Sequence, residues 1–382
     1  MLPFTYAVRN LFRDPARLLQ TVGGAALVVF LLMTASAMNN GMDQVLSASG
    51  SPKNVILLGT GSEESIERSE VHLEVESIAA TSIRGLQETL GQSAVSGEIV
   101  YQAPVATETG AEEQGLLRGV RESALLVHPS VRLEEGRFCA SGEVMVGILA
   151  HRKLGVPKSE IAVGKSIRFE NTNLTISGIF SAPGTVLESE IWFDRNDLAT
   201  LTQRDSLSAV VVRLGDATMA DVEAFTFQRN DLELAAIRED KYYDKLGAFY
   251  SPIQTMTWLT AAMVAAGAVF GGLNTLYAAF ASRVRELATL QSIGYKRPAI
   301  FVSLLQESLL ATLTGTLLAL ILALVLIDGK TVPFSIGTFH LILSPTVILT
   351  GLIVGTLLGS VGILPPVWRT LSPSLPKALR SS

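Results

Sequence analysis

One cysteine, Cys139, stands in 382 residues, so no intrachain disulfide can form and any folded domain must rest on its own core. Histidine is nearly as scarce. His72, His128, His151 and His340 are scattered with no ligand-spaced pair, and neither a metal nor another cofactor is predicted. A phosphate-binding loop is missing too. Gly164-Lys165-Ser166 ends like one, but G-x-x-x-x-G-K-[ST] requires glycine at position 159, which is Ser159, and the pattern after it predicts a strand rather than a helix. Ser65, Ser69 and His72 lack any second motif that would make them nucleophile and base. No catalytic residues emerge, and no enzyme activity is expected of this chain.

Charge is the other deficit. Asp, Glu, Lys and Arg make up 17% of the chain and apolar residues 48%, against about 25% charged in soluble domains. The charge is partitioned. Residues 39–252 hold 19 of the 30 Lys and Arg and 31 of the 35 Asp and Glu, a balance of −12. Outside that block lie four apolar stretches long enough to span a bilayer core, which takes about 20 residues as a helix. They are 21–38, 253–280, 301–327 and 344–368. The remaining segments are 1–20, 281–300 and 369–382, carrying net charges of +2, +3 and +3, and the short 328–343 loop. The positive-inside bias puts the three basic segments and both termini in the cytoplasm. The 39–252 domain and the 328–343 loop then face outward. Ala35-Ser36-Ala37 after the first apolar run also reads as a signal-peptide cleavage site. Twenty residues precede that run, and 5–19 are amphipathic, with Ala7, Leu11, Leu18 and Leu19 apolar. A retained first span is expected on those grounds; cleavage would leave three.

The outer block alternates short strands with short helices, which predicts an α+β domain. Strands are expected over 54–58, 94–107, 115–121, 166–169, 174–180, 191–193 and 208–214, and helices over 74–90 and 217–230. A second lobe inserted over 123–205 is expected. The fold class is therefore an α-helical membrane protein with four transmembrane helices and an extracytoplasmic α+β domain between helices 1 and 2.

Small residues recur at fourfold spacing in the spans: Gly267 and Gly271, then Gly315 with Ala319 and Ala323, then Gly351, Gly355 and Gly359. In lipid, close backbone approach through such residues holds helices together, within one chain or against a second copy. Glu307 is the one ionisable residue in the last two spans, and an acid there needs a cytoplasmic Arg or Lys or a neighbouring helix to pair with. Four spans with so little intramembrane charge show no polar conduit. The 281–300 link is the most informative stretch. Val284, Leu287, Leu290 and Ile293 share a helical face, Arg283, Arg285 and Glu286 lie elsewhere, Gly294 suits a helix stop and Pro298 a restart. A short amphipathic helix at the membrane surface follows, suited to anchoring or to docking a cytoplasmic partner.

Asn274-Thr275-Leu276-Tyr277, Arg283-Val284-Arg285-Glu286-Leu287, Leu290-Gln291-Ser292-Ile293-Gly294-Tyr295 and Gln306-Glu307-Ser308 together resemble the signature of the FtsX-like permeases of ABC transporters, of the MacB, LolC/LolE and DevC types. Ala288 stands where that pattern favours Gly, and Gln291-Ser292 where it favours Arg-Ala. The outer block is similar to the MacB-like periplasmic core at Leu117-Arg118-Gly119-Val120, Leu133-Glu134-Glu135-Gly136-Arg137, Val144-Met145-Val146-Gly147, Val163-Gly164-Lys165 and Tyr242-Tyr243. The resemblance implies an inner-membrane permease subunit, working as a dimer with two copies of a separate cytoplasmic ATPase that docks at the link around Glu286. Its outer domain would move to export or extract a lipid, lipoprotein or hydrophobic compound, with a periplasmic adaptor among the partners and no nucleic acid. The alternative is an FtsX-like transmitter that signals to an extracytoplasmic hydrolase without transport.

Overall fold

The computed structural model describes residues 3–108, 110, 112–281 and 283–371, without the side chains of 274–276, 278–281 and 369–371. The Asn274-Thr275-Leu276 part of the signature and the basic tail at Lys377 and Arg380 lie outside the described side chains. The chain divides into two units. One comprises 1–40, 252–330 and 341–382, the other 41–251 and 331–340.

The first unit is helical. Among the described residues, four helices are long and apolar enough to cross a membrane. They are Pro15–Ser49, Glu239–Ala281, Arg297–Leu326 and Pro345–Trp368, the last made of Pro345–Val361 and the start of the short helix Leu364–Leu371. The 43 residues of the second reach about 65 Å at 1.5 Å each, twice the ~30 Å hydrocarbon core. The first, at 35 residues, likewise exceeds the apolar run that marks it. Both run on into residues of the other unit. Pro252, which removes one backbone donor, sits where the Glu239–Ala281 helix changes unit.

The second unit is built on strands: β1 (Asn54–Gly59), β2 (Glu88–Thr89), β3 (Gln92–Ser93), β4 (Val95–Ala106), β5 (Glu112–Val120), β6 (Arg132–Gly136), β7 (Glu143–Gly147), β8 (Ser166–Phe169), β9 (Thr172–Ser181), β10 (Ile191–Asp194), β11 (Ala209–Arg213), β12 (Leu234–Arg238), β13 (Thr331–Phe334) and β14 (Gly337–His340). Ten form one mixed sheet in the order β12-β1-β11-β4-β5-β10-β7-β9-β6, with β8 against β4 and β9. The long β4 joins its two parts. Val95–Glu98 pairs with β11, and Ile99–Ala106 pairs with β5. The strands between 123 and 205 share their part of the sheet with β5 and the second half of β4, so that part begins before residue 123. The domain is of mixed α/β type. Its core runs from Val55 and Leu57 through Ile99 and Leu117 to Phe169 and Phe193.

One predicted element differs. The helix expected over 74–90 ends at Ser82. Gly85 takes φ +81°, and a Cβ there would stand 2.8 Å from the Ala217 amide, so the chain turns away. Ile83 and Leu86 are still buried, but on either side of a turn at 84–85, and Leu90 sits fully exposed at φ +54° between β2 and β3. The 328–343 loop also carries more structure than its length suggests. Its β13–β14 hairpin belongs to the second unit, where Phe339 is buried and Lys153 donates to the Phe334 and Ser335 carbonyls.

Candidate functional site

The Val284–Ser292 helix stops at Gly294, whose φ of +106° disfavours a side chain, and Pro298 opens the next helix at its first turn. That sharp stop and restart returns the link onto the foot of the Arg297–Leu326 helix. Leu287 packs with Ile300, Leu304, Ile363 and Val367 in one buried cluster, with Leu290 at its edge.

Glu307 lies beside that cluster, 3% exposed, and is surrounded by donors. Asn10 Nδ2 donates to it at 3.0 Å, Arg283 Nη1 at 3.1 and 3.2 Å, and Arg17 Nη2 through a short contact. Glu286, one turn along from Arg283, accepts from Arg13 Nη1 at 2.7 Å and lies 3.6 Å from Arg283 Nε. Three arginines and two carboxylates thus tie together the N-terminal segment, the link and the Arg297–Leu326 helix. The Arg283 Nε and Nη2 groups are buried without a hydrogen bond, so this arginine is held for its charge more than for full satisfaction.

The coupling candidates read from the sequence divide by face. Arg283 and Leu287 point inward, Glu286 and Leu290 are half-buried, and Arg285, Ile293 and Gly294 are exposed. Ile293 departs from the expected buried stripe. It caps the helix end and stays 70% exposed, since the stripe's geometry ends with the helix. Asn10, Arg13 and Arg17 were not singled out by sequence reading. The available signal was their position: three arginines four apart (Arg9, Arg13, Arg17) on a segment otherwise apolar on one face.

The glycines also divide. A Cβ on Gly315 would stand 2.6 Å from the Val22 carbonyl oxygen, and one on Gly351 would stand 2.7 Å from Met33 Sδ. A Cβ on Gly355 would collide with Thr316 Oγ1, and one on Gly359 with Thr312 Oγ1. These four bring the first, third and fourth spans together. Gly267 and Gly271 have nothing within 4 Å of such a Cβ, and only 6% of the second span is buried, against 39%, 33% and 28% in the others.

In the outer unit, the Lys165 of Gly164-Lys165-Ser166 pairs with Glu108 at 2.8 Å and leads into β8. The Ser69 hydroxyl accepts the Gly59 amide at 2.9 Å. Among the described residues, no group of three His, Cys, Asp or Glu is placed to hold a metal ion.

Helices of membrane length with a mixed α/β domain between the first two describe a membrane protein. Residues 18–226 match the MacB-like periplasmic core domain family and residues 258–375 the FtsX-like permease C-terminal family. The chain belongs to these families: it is a MacB-like FtsX permease of the ABC transporter class, and both the family and its apolar helices point to the inner membrane. It is 22% identical over 354 residues to the macrolide export ATP-binding/permease protein MacB of Bdellovibrio bacteriovorus, covering 84% of this chain and 52% of that protein. The chain thus spans about half the length of that relative. Among solved structures, it is similar to the periplasmic region of MacB from Actinobacillus actinomycetemcomitans (11% identity, TM-score 0.40, 54% of this chain and 97% of that one). It is also similar to the extracellular domain of the noncanonic ABC-type transporter YknZ from Gram-positive bacteria (13%, 0.37, 48% and 99%).

Proposed function

We propose that this chain is a permease subunit that couples ATP hydrolysis in a separate cytoplasmic ATPase to movement of its outer domain, exporting or extracting an amphiphilic substrate. Both termini and the 281–300 link face the cytoplasm in this reading, and the 41–251 unit faces outward. The observation that carries it is the Glu307 hub. An exposed face at Arg285, Thr289 and Ile293 rides on a helix whose other face is clamped through Arg283 to the Arg297–Leu326 helix. A push on that face is passed to the span instead of being absorbed by a loop. The separate ATPase is supported by the match to the FtsX-like permease C-terminal family. A second copy of the chain would cover the Gly267 and Gly271 face. A periplasmic adaptor completes the assembly in this reading.

The test is ATP hydrolysis by the partner ATPase with the permease in vesicles. Arg285→Glu combined with Ile293→Asp should lower the stimulation by on the order of tenfold, the cost of a contact hot spot, while the chain still inserts. Stimulation equal to wild type in the inserted double variant would overturn the coupling role.

A further inference from the structure

Five ionisable side chains meet inside the outer unit, out of reach of water. Glu98 on β4 and Glu190 ahead of β10 are fully buried. Arg118 on β5, His128 behind the short helix Ala124–Val127, and Glu239 at the start of the Glu239–Ala281 helix are each less than a tenth exposed. Arg118 donates to both oxygens of Glu190 at 2.7 and 2.6 Å, and to Glu98 Oε2 at 2.6 Å. The other Glu98 oxygen lies 2.9 Å from His128 Nε2. On the far side of the ring, Nδ1 lies 3.9 Å from Glu239 Oε1. Glu239 Oε2 accepts from the Ser51 amide at 2.9 Å and Asn54 Nδ2 at 3.0 Å. The relay therefore ends on residues 51–54, just past the end of the Pro15–Ser49 helix, and on the first turn of the helix at 239. The groups around the imidazole are Glu98, Arg118, Glu239, the Tyr243 phenol, the Trp192 ring at 6.3 Å, and Arg213, which holds Asn54 and the Val127 carbonyl.

Three carboxylates against one permanent cation is an unbalanced set for a dry interior, where charge must be matched. A proton on His128 places a second positive charge between the Glu98 and Glu239 carboxylates and brings the set closer to balance. We infer that Glu98, His128 and Glu239 form a proton-controlled clasp, in which the imidazolium form joins the sheet to Ser51 and to the start of the Glu239–Ala281 helix, and loss of its proton loosens that join. Burial works against a charged ring, but the Glu98 carboxylate, and then Glu239, overcome it and hold His128 above its ordinary value. Burial likewise pushes Glu239 up. Glu98 is driven to about 2 against its own burial, by His128 and then Arg118. A group whose value is raised on folding stabilises the fold below its unfolded value, about 6.5 for histidine. That contribution is lost as pH rises through the folded value. Glu239 acts in the same direction. Acid outside would close the clasp, and alkali would open it.

The test is hydrogen exchange in the full-length chain in nanodiscs, followed at the Ser51 amide and across 239–243 from about pH 6 to about pH 9 and corrected for intrinsic exchange. The opening constant should climb through one titration step, at close to tenfold per pH unit on its steep limb, as release of one proton requires. His128→Gln should flatten the profile. Glu239→Gln should keep the step but move its midpoint to lower pH, because the acid that favours the imidazolium is gone. A flat wild-type profile, or an unchanged step in His128→Gln, would overturn the clasp. Should His128→Gln fail to fold, an unchanged midpoint in Glu239→Gln overturns it as well.

Discussion

A carboxylate near the foot of a membrane helix is stable only with donors around it, and Glu307 has three: Asn10, Arg17 and Arg283. Removing it strands two guanidiniums, of which Arg283 already lacks acceptors at Nε and Nη2. Glu307→Ala should cost about 3–5 kcal/mol of stability, the usual penalty for leaving a buried charge unpaired. Chemical unfolding in detergent micelles measures it, and a loss below about 1 kcal/mol would mean water reaches the site. The acid itself stands out in the sequence as the one charge in its span. Its partners do not, because Asn10 and Arg17 lie 297 and 290 residues away and the pairing exists only once helices pack. Cys139 offers a second check at this scale. Burial first, and the Asp194 carboxylate after it, push its thiol up to about 12, so it stays protonated near neutrality. Maleimide should label Cys139 slowly in the folded chain at about pH 8 and readily in denaturant; rapid labelling of the native chain would contradict the burial.

Between helices, the repeated glycines split into four where an added Cβ would strike another span and two where it would meet nothing within 4 Å. Gly315→Leu drives a side chain into the backbone of the first span at Val22 and should destabilise the folded permease by about 1–3 kcal/mol. At Gly267 an added Cβ has nothing within 4 Å, so Gly267→Leu should leave the melting temperature unchanged while weakening self-association, as read by crosslinking in membranes. Equal melting losses for the two would refute the division. Spacing alone put all six glycines on one footing, since a fourfold repeat reports which residues share a face and not what lies opposite it. Periodicity misleads in the outer unit for a related reason. Val75, Ile78, Ala79, Ile83 and Leu86 fit a helical face, yet the helix stops at Ser82 and the last two are buried on either side of a turn at 84–85. Burial, not helicity, is what the pattern recorded, and Gly85 was the signal against the longer helix.

On the scale of the whole molecule, the proposed topology has a direct test. In a Cys139→Ser background, a cysteine at Thr289 should react with an impermeant thiol reagent only from the cytoplasmic side, and one at Gly61 only from outside. Labelling of both from one side would overturn the orientation. Hydropathy and the Lys and Arg bias suffice for the number of candidate spans and the expected orientation, because both follow from transfer of single residues between water and lipid. The alternation of strands in the 39–252 block likewise announced a mixed domain, because period-two burial is a local property of each strand. Three features required the folded chain. One is the sharing of β4 between two parts of a sheet. Another is the convergence of Arg13, Arg17 and Arg283 on two acids, and the last is the burial of Glu98, Arg118, His128, Glu190 and Glu239 together. Each depends on residues far apart in sequence, and an interaction between distant charges has no signature in the composition or spacing of either segment. The wide separation of the first two spans was therefore legible from the chain alone, while the groups that gather around Glu307 in one unit and around His128 in the other became visible only in three dimensions.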